Sequence, residues 1–460
     1  MDFIKSIISL IYNFLWGDLI TIPLPGGSSL GLSLLVIILI PSGIYFTFKT
    51  KFVLFRYFPE MIRISTEKKN SSDKNSLSGL QALIVSTATR VGMGNLVGVV
   101  AAISAGGAGA VFWMWVTAIL NSSTAFIEAT LAQIYKEKDP LYGGFRGGPA
   151  YYINALFTKN KRKKRSVIAI LFAISGLICW GGISQVIGNS VSSAFESAFD
   201  IPPLYTTVVL VTISAIIVLR KNATVKVLDV VVPVMASIYF ILTIFIILTN
   251  IKLLPDVFAR IFAEAFGIRQ MAAGGFGAVL MNGVKRGLFS NEAGSGSAPC
   301  AAATADVSHP AKAGLLQAFG VFIDTIVICT CTAMIILLLP ESSAIGLEGM
   351  PLLQAAMQHH LGSFGIYFIA VILFLFSFST FLGVLFYARS NVACLFGDNW
   401  TPQTVYKIFA LAMLFIGGLA SYTFVWDLGD IGIGLMTIFN MIALFPLSKQ
   451  ALHALKDYKK

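Results

Sequence analysis

The chain has 460 residues, of which 56% are hydrophobic and only 12% are charged, and its formal net charge is +11. With a mean hydropathy of +0.81, this composition excludes a soluble globular protein and indicates an integral membrane protein. The basic residues behind the net charge lie in loops between apolar runs, so the charge does not indicate nucleic-acid binding.

The first 16 residues combine Lys5 with a short apolar stretch and lack a small-residue cleavage pattern. This predicts a retained interfacial helix, with an uncleaved anchor as the alternative. Further on, the apolar runs are long enough for membrane helices, which need about 20 residues each. We predict an all-α polytopic membrane protein with eleven spans, at residues 30–48, 79–105, 110–135, 167–191, 204–219, 225–248, 271–288, 314–339, 364–388, 405–421 and 426–447.

Lys and Arg are distributed unevenly over the predicted loops. Of the 33 such residues, all but five fall on one side of the membrane in this arrangement. The exceptions are Arg90 inside a span and, on the opposite side, Lys5, Lys252, Arg260 and Arg269. Because basic loops are retained in the cytoplasm, we expect a protein of the cell (inner) membrane with its N-terminus outside and its C-terminus cytoplasmic.

Residues 86–99, with the sequence STATRVGMGNLVGV, place glycines, an arginine and an asparagine inside a predicted span. Irregular backbone survives at membrane depth only where it is buried in protein or lines a cavity. The interruption at residues 90–95 begins about 18 Å from the start of the span, at 1.5 Å per residue, which is close to the midplane. We therefore expect a transport path at this break.

The order of the spans predicts an internal repeat. Without the first span, ten remain, and two sets of five necessarily run in opposite directions, as in transporters with inverted repeats. The first span of the second set carries a glycine-rich interruption at residues 272–277, AAGGFG, although small residues also serve close helix packing. The predicted regions are 1–78 (interfacial segment, extra span and loop), 79–250 (first repeat), 251–447 (second repeat) and 448–460 (cytoplasmic tail).

Several motifs within residues 78–447 carry a family resemblance: VGMGNLVGV, FWMWVTAI, GLFSNEAG, VFIDTIV and FSTFLG. They resemble the alanine or glycine:cation symporters, sodium-coupled amino-acid carriers similar in fold to the leucine transporter. The resemblance implies a leucine-transporter-type 5+5 inverted repeat with one extra N-terminal helix. It also implies symport of sodium and a small neutral amino acid, alanine or glycine, by alternating access.

The two predicted breaks suit the two ends of an amino acid. Unwound amides and the positive end of a half-helix bind a carboxylate, so Gly92, Met93, Gly94 and Asn95 are expected there. Asn95 capping its own half-helix is the alternative. Carbonyls of the second break are expected to bind the ammonium group, and the remaining substrate candidates are Gly274, Gly275, Phe276 (which would limit side-chain volume or merely pack) and Gln185 on the third core helix.

By similarity to the sodium site of the leucine transporter, the coupling ion would be held by hydroxyls of Ser379 and Thr380 and by carbonyls of Ala88, Val91 and Phe376. Hard cations prefer such oxygen ligands. Ser and Thr in membrane helices also bond their own helix, which is the structural alternative.

Ionisable residues inside spans are costly and usually functional. Arg90 is expected to pair with Glu128 or Asp324 and to gate the path. Arg286 and Glu292, which flank GLFSN, are expected to form either a cytoplasmic gate or a surface ion pair.

The chain shows no enzyme signature, no P-loop lysine and no zinc spacing of its histidines. We expect no cofactor other than the coupling sodium, no nucleic-acid partner, and an oligomeric state that the sequence leaves open. A proton-coupled carrier is one alternative, and an ion channel or substrate-sensing receptor on the same fold is another. Many relatives have tryptophan after the LG of FSTxLG where this chain has Val384, so glutamine remains an alternative substrate to alanine.

Overall fold

The computed structural model describes residues 2–23, 29–67, 77–158, 165–220, 223–266 and 276–459. Within these ranges the chain is helical apart from two short antiparallel strand pairs. Eight described helices are long and apolar enough to cross a membrane, and two shorter apolar helices accompany them. The predicted all-helical polytopic membrane protein is confirmed.

The helices and strands are numbered in chain order. They are α1 Asp2–Trp16, β1 Asp18–Pro23, β2 Ser29–Ser33, α2 Leu34–Lys49, α3 Val53–Arg56, α4 Phe58–Ser65, α5 Gly79–Thr89, α6 Val99–Gly106, α7 Gly109–Ile134, β3 Glu137–Lys138, β4 Phe145–Arg146, α8 Pro149–Thr158, α9 Val167–Phe199, α10 Pro203–Val218, α11 Ala223–Thr249, α12 Leu254–Ala265, α13 Phe276–Asn291, α14 Pro299–Ala302, α15 Pro310–Val321, α16 Thr330–Leu337, α17 Glu341–Ala344, α18 Met350–Leu361, α19 Ser363–Phe396, α20 Trp400–Leu419 and α21 Tyr422–Tyr458.

Helix starts follow from local sequence. Ser78 caps α5 in a capping box: its hydroxyl accepts from Gln81 N at 3.0 Å, and Gln81 Oε1 accepts from Ser78 N at 3.1 Å. Ser33 and Ser166 cap α2 and α9 in the same way, through Val36 N and Ala169 N. These side chains satisfy backbone donors that a helix start leaves unpaired.

Small residues let α9 approach its neighbours closely. A Cβ at Gly182 would lie 2.4 Å from Gly429 N of α21, and a Cβ at Gly432 would lie 2.4 Å from Cys179 Cα. A Cβ at Gly417 of α20 would meet the Gln185 backbone at a similarly short distance. Since lipid gives membrane helices no hydrophobic reason to associate, such close backbone contact is a main source of their packing energy.

The segments α5–α6 and α13–α14 cross the protein in opposite directions. Ser78 caps the start of α5, and Gly107 caps the end of α6. We call the two ends of the helical core the Ser78 side and the Gly107 side after these residues. A Cβ at Gly106 would lie 3.2 Å from Asn282 Cβ, so α13 starts on the Gly107 side. The segment after α14 returns to the Ser78 side, where Asp306 N donates to Leu77 O at 2.7 Å.

Several predicted boundaries differ from the observed ones. For example, α9 and α19 continue to Phe199 and Phe396, past the predicted ends at 191 and 388. The seventh predicted span, 271–288, corresponds to α13, whose described part begins at Phe276 and continues to Asn291. The predicted tail at 448–460 is helical, because α21 continues to Tyr458 through Pro446. A buried stripe that includes Ala451 and Leu455 extends the packing of α21 past the predicted span.

The close contact at Gly182 predicts a stability difference between two identical substitutions. Gly182→Ala forces α9 and α21 apart and should lower the free energy of unfolding by about 1–3 kcal/mol, the usual cost of overpacking. Gly287→Ala is the control, because its new methyl group would meet α7 at an ordinary 3.5 Å. Thermal unfolding of the purified protein measures both, and equal midpoints would contradict the packing argument.

Candidate functional site

The first interruption, Arg90–Gly98, separates α5 from α6. Val91 (φ −76°, ψ 72°) and Gly92 (φ −149°, ψ −145°) have non-helical backbones, and the whole segment is buried. A Cβ at Gly92 would lie 2.0 Å from Thr380 Oγ1. Glycine is required there because the opened backbone touches α19 directly.

Four oxygen atoms, which we call the oxygen cluster, converge at this contact. Ser379 Oγ lies 2.8 Å from Phe376 O and 3.3 Å from Ala88 O. Thr380 Oγ1 lies 2.9 Å and 3.4 Å from the same two carbonyls. A hard cation holds oxygen ligands at about 2.3–2.6 Å, so neighbouring ligands stand roughly 3–4 Å apart, as they do here. Val91, the fifth predicted ligand, is buried and has a non-helical backbone, directly before Gly92.

The hydroxyls of the oxygen cluster also bond their own helix through Phe376 O, as the structural alternative requires. Their approach to Ala88 O is the additional feature, because it joins α19 to the end of α5. An arrangement of hydroxyls and carbonyls from two helices is suited to a monovalent hard cation.

The amides of the first interruption are paired with nearby side chains. Gly92 N donates to Asn95 Oδ1 at 2.9 Å, and Met93 N donates to Thr380 Oγ1 at 3.1 Å. Asn95 Oδ1 thus serves a backbone donor three residues before it, whereas capping of its own half-helix would need a donor after it. Its amide Nδ2 donates to Asp324 Oδ1 at 2.8 Å and to Asp324 O at 3.1 Å.

A second interruption at residues 292–298 lies beside the first. Glu292 (φ 57°), Gly294 (φ 98°) and Gly296 (φ 84°) take left-handed conformations directly after α13, which only glycine adopts without strain. A Cβ at Gly94 would lie 3.3 Å from Ser290 Cα and 3.6 Å from Phe289 O. The C-terminal end of α13 thus faces the start of α6.

Side chains from three helices hold the second interruption. Glu128 of α7 accepts from Gly294 N at 3.1 Å, and Asn440 of α21 donates both to Glu128 Oε1 and, at 3.0 Å, to Gly294 O. Tyr387 of α19 donates to Glu292 Oε2 at 3.2 Å and reaches Ser86 O at 3.4 Å. Asn440 and Tyr387 therefore belong to the site although no sequence pattern singled them out.

Asp324 joins both interruptions to the α15–α16 region. It lies in a wide-turn stretch, Phe322–Cys329, of a kind that often occurs at functional sites. Besides Asn95, its carboxylate accepts from Ser290 Oγ at 3.0 Å and from Thr325 Oγ1 at 2.6 Å. The carboxylate therefore has three neutral side-chain donors, one from the first interruption, one from α13 and one from its own stretch.

The predicted ion pair of Arg90 is wrong. Arg90 Nη1 donates to Gln317 Oε1 at 2.9 Å and to Gln317 O at 3.3 Å, and no ion pair joins it to Glu128 or Asp324 within the described chain. Both carboxylates already have other donors. Arg90 instead lies against Gly320, where a Cβ would be 2.7 Å from Nη1. Its Nε and Nη2 have no hydrogen-bond partner among the described residues.

The predicted pairing of Arg286 with Glu292 is also wrong. The Arg286 guanidinium lies 3.2 and 3.3 Å from the two oxygens of Asp430 and 4.0 Å from the Trp426 ring. Lys285 lies 2.6 Å from the same carboxylate. This cluster belongs to α13 and the start of α21, on the Gly107 side. Six residues, about one and two-thirds helical turns, separate Arg286 from Glu292, so the two side chains leave the chain in different directions and reach different partners.

Not every predicted substrate residue is near the two interruptions. Gly274 and Gly275 lie outside the described residues. Phe276 lies beside Trp113, with ring centroids 6.2 Å apart, about 22 Å along α13 from Asn291. Gln185 Nε2 faces α20, 3.9 Å from Met413 Sδ.

Comparison with known proteins places this arrangement in a family. A model described as the sodium:alanine symporter family matches residues 3–460. The chain is 45% identical to the probable sodium/glutamine symporter GlnT of Bacillus subtilis, over 93% of this chain and 88% of that protein. It is 41% identical to the amino-acid carrier protein AlsT of the same species (100% and 93%) and 32% identical to the sodium/alanine symporter AgcS of Methanococcus maripaludis (97% and 95%).

The chain belongs to the sodium:alanine symporter family. It is therefore a multi-pass membrane transporter for amino acids with sodium symport, not an enzyme. Among solved structures, a manganese transporter of Eremococcus coleocola aligns with a TM-score of 0.50 and 13% identity, over 84% of this chain and 81% of that chain. That likeness concerns the fold alone.

For this symporter, the oxygen cluster predicts a specific sodium defect. Thr380→Val keeps the shape of the side chain but removes one oxygen. Because a lost charge-assisted contact costs roughly 1.5–3 kcal/mol, the sodium concentration for half-maximal uptake should rise by about tenfold or more. Thr380→Ser should restore wild-type behaviour. Ser377→Ala on the same helix is the control, since that buried hydroxyl has no described partner. The same sodium dependence in Thr380→Val and Ser377→Ala would contradict a sodium role.

The Asp430 cluster predicts an order of stabilities. Asp430→Asn leaves Lys285 and Arg286 buried without a carboxylate and should destabilise the symporter by about 3–5 kcal/mol. Lys285→Gln keeps the Arg286–Asp430 pair and should cost clearly less. Thermal unfolding in the same detergent ranks the two, and a larger loss in Lys285→Gln would show that the pair is not the stabilising element.

Proposed function

We propose that the chain carries a small neutral amino acid together with sodium across the cell membrane by alternating access. One observation carries this proposal: two buried helix interruptions lie side by side, next to a cluster of four buried oxygens. Broken helices in membrane proteins occur where the backbone serves a cavity or a ligand. The coupling ion and the substrate would bind within a few ångströms of each other.

The two helix ends that meet at the interruptions have opposite partial charges, which suit the two charged groups of an amino acid. The amides at the start of α6, around Gly92, Met93 and Gly94, lie at the positive end of a half-helix and would receive the carboxylate in exchange for Asn95 Oδ1 and Thr380 Oγ1. The last carbonyls of α13 lie at a negative end and would receive the ammonium group. Phe289 O, which faces Gly94, is the first of these. We therefore assign the binding of the ammonium group to the C-terminal end of α13 and not to residues 274–276 at its start.

The architecture proposed for this cycle has eleven membrane segments in a 5+5 inverted repeat with α2 as the extra helix. The reversed directions of α5–α6 and α13–α14 support it, as does the fold shared with the manganese transporter. The proposed regions remain 1–78, 79–250, 251–447 and 448–460, with the last one helical. The basic Ser78 side would be cytoplasmic, with the N-terminus outside and the C-terminus inside.

Sodium is the proposed coupling ion because the oxygen cluster contains only hydroxyls and carbonyls, which do not titrate. One relative is named a sodium/proton-dependent alanine carrier protein, from a Bacillus species. Proton coupling through the buried Asp324 or Glu128 is the alternative. Uptake that persists without sodium and follows a pH gradient would favour it.

Alanine and glycine are the primary substrates we propose, and glutamine is the second candidate. Position 384 decides between them. Val384 is buried one turn after Thr380 and one turn before Tyr387, both of which contact the interruptions from the same face of α19. Valine there leaves more room than the tryptophan of many relatives, and the relative GlnT is named a glutamine symporter.

Counterflow in proteoliposomes tests the proposed cycle. Vesicles loaded with unlabelled alanine or glutamine should draw in labelled substrate in a saturable, sodium-dependent way, because a carrier exchanges one bound substrate for another. Ion currents at channel rates without substrate would identify a channel on this fold. Binding without exchange would identify a substrate-sensing receptor, and either result would overturn the proposal.

Val384→Trp tests the substrate assignment. The indole should fill the space beside the interruptions, so glutamine uptake should fall by about tenfold or more relative to alanine uptake, the discrimination that a steric change of 1–3 kcal/mol provides. Val405→Trp is the control, because Val405 is exposed on the outer face of α20. An unchanged glutamine-to-alanine ratio in Val384→Trp would remove position 384 from the pocket.

A further inference from the structure

A polar cavity of about 510 Å³ opens on the Ser78 side, away from the oxygen cluster. It lies between the end of α7, the helix α8 and the end of α19. Its lining residues are mostly polar or charged and include Lys136, Glu137, Arg146, Tyr151, Arg165 and Asp398. Neither the sodium site nor the substrate site uses any of them.

The cavity has the chemistry of an anion site. Three cations line it against two carboxylates, Glu137 and Asp398. Arg146 donates from Nη1 to Asp398, but its buried Nε has no partner in the described chain. Arg165 donates to the backbone carbonyl of Leu395.

Exposed apolar side chains adjoin the lining of the cavity along the chain. Ile134 lines the cavity and is 38% exposed, whereas Phe157 (46% exposed) and Phe396 (61% exposed) each precede a lining residue. Val167, which follows the lining residue Arg165 by two positions, is 70% exposed. Charged and exposed apolar side chains that occur together at the ends of apolar helices are typical of the level of the lipid headgroups.

We propose that this cavity, the headgroup pocket, binds the phosphate of an anionic phospholipid. The guanidinium groups of Arg146 and Arg165 would hold the phosphate oxygens, as arginine does bidentately. The acyl chains would lie along Phe157 and Phe396. Basic pockets between membrane helices on the cytoplasmic side bind anionic headgroups by this combination of charge and apolar contact.

The bound lipid would join helices that carry the transport site. Helix α19 bears Ser379, Thr380 and Tyr387, and α7 bears Glu128, so a headgroup between their ends connects both to α8. Anionic lipid is therefore expected to alter the transport rate and not only to adhere to the surface.

Native mass spectrometry of the full-length protein, purified from phosphatidylglycerol-containing membranes, tests the proposal. Arg146→Gln and Arg165→Gln should each retain about fivefold less phosphatidylglycerol, the factor that one Lys or Arg contributes near an anionic membrane. Arg146→Lys and Arg165→Lys keep the charge and should retain most of it. Arg56→Gln, on an exposed arginine outside the pocket, is the matched control and should retain wild-type amounts.

Sodium-driven uptake in vesicles gives a second readout. Phosphatidylglycerol added to phosphatidylcholine vesicles should change the rate for the wild type and Arg56→Gln, but not for Arg146→Gln. Wild-type lipid retention in both glutamine variants would overturn the site. Millimolar inorganic phosphate that reproduces the rate change in pure phosphatidylcholine would identify free phosphate as the occupant and overturn the lipid assignment. Lipid retention is measured without transport, so it stands or falls independently of the proposed substrate.

Discussion

Every backbone N–H and C=O group in the membrane interior must find a partner within the protein, because an unsatisfied one costs several kcal/mol. Two helices open inside the buried core of the protein, and side chains meet this requirement there. Asn95 and Thr380 serve the first interruption, while Glu128 and Asn440 serve the second. These partners can be exchanged for a ligand, whereas helical hydrogen bonds cannot, and the proposed function uses this difference to form its binding site.

Buried charge follows the same constraint. Asp324 is held by Asn95, Ser290 and Thr325, so one carboxylate links both interruptions to a third helix. A cation in the oxygen cluster would lie close to this network without contacting a carboxylate directly. Substrate and ion would then stabilise the same closed arrangement of the interruptions, which is the thermodynamic requirement for coupled transport. Arg90 differs from the other buried charges, because its hydrogen bonds within the described residues go to Gln317 alone.

The sequence predicted the fold class and the first interruption, because glycines and charges are conspicuous inside apolar runs. The residues that meet at the oxygen cluster were implied by the family resemblance and not by the residue pattern alone. The sequence misplaced the partners of the charges. Arg286 pairs with Asp430, which is 144 positions away, and only the packing of α13 against α21 reveals this. From the sequence alone, the interruption after Asn291 looks like the end of a helix. Its place inside the protein follows only from the packing of α13 beside α6. Asn440 and Tyr387 look like ordinary residues of apolar helices until their partners are known.

The central claim is that sodium and substrate bind together at two adjoining interruptions. Equilibrium binding of radioactive sodium to the purified protein, with and without alanine or glutamine, tests it most directly. The amino acid should raise the affinity for sodium by the same factor by which sodium raises the affinity for the amino acid, because such coupling is reciprocal. Sodium binding that neither amino acid changes would contradict the account.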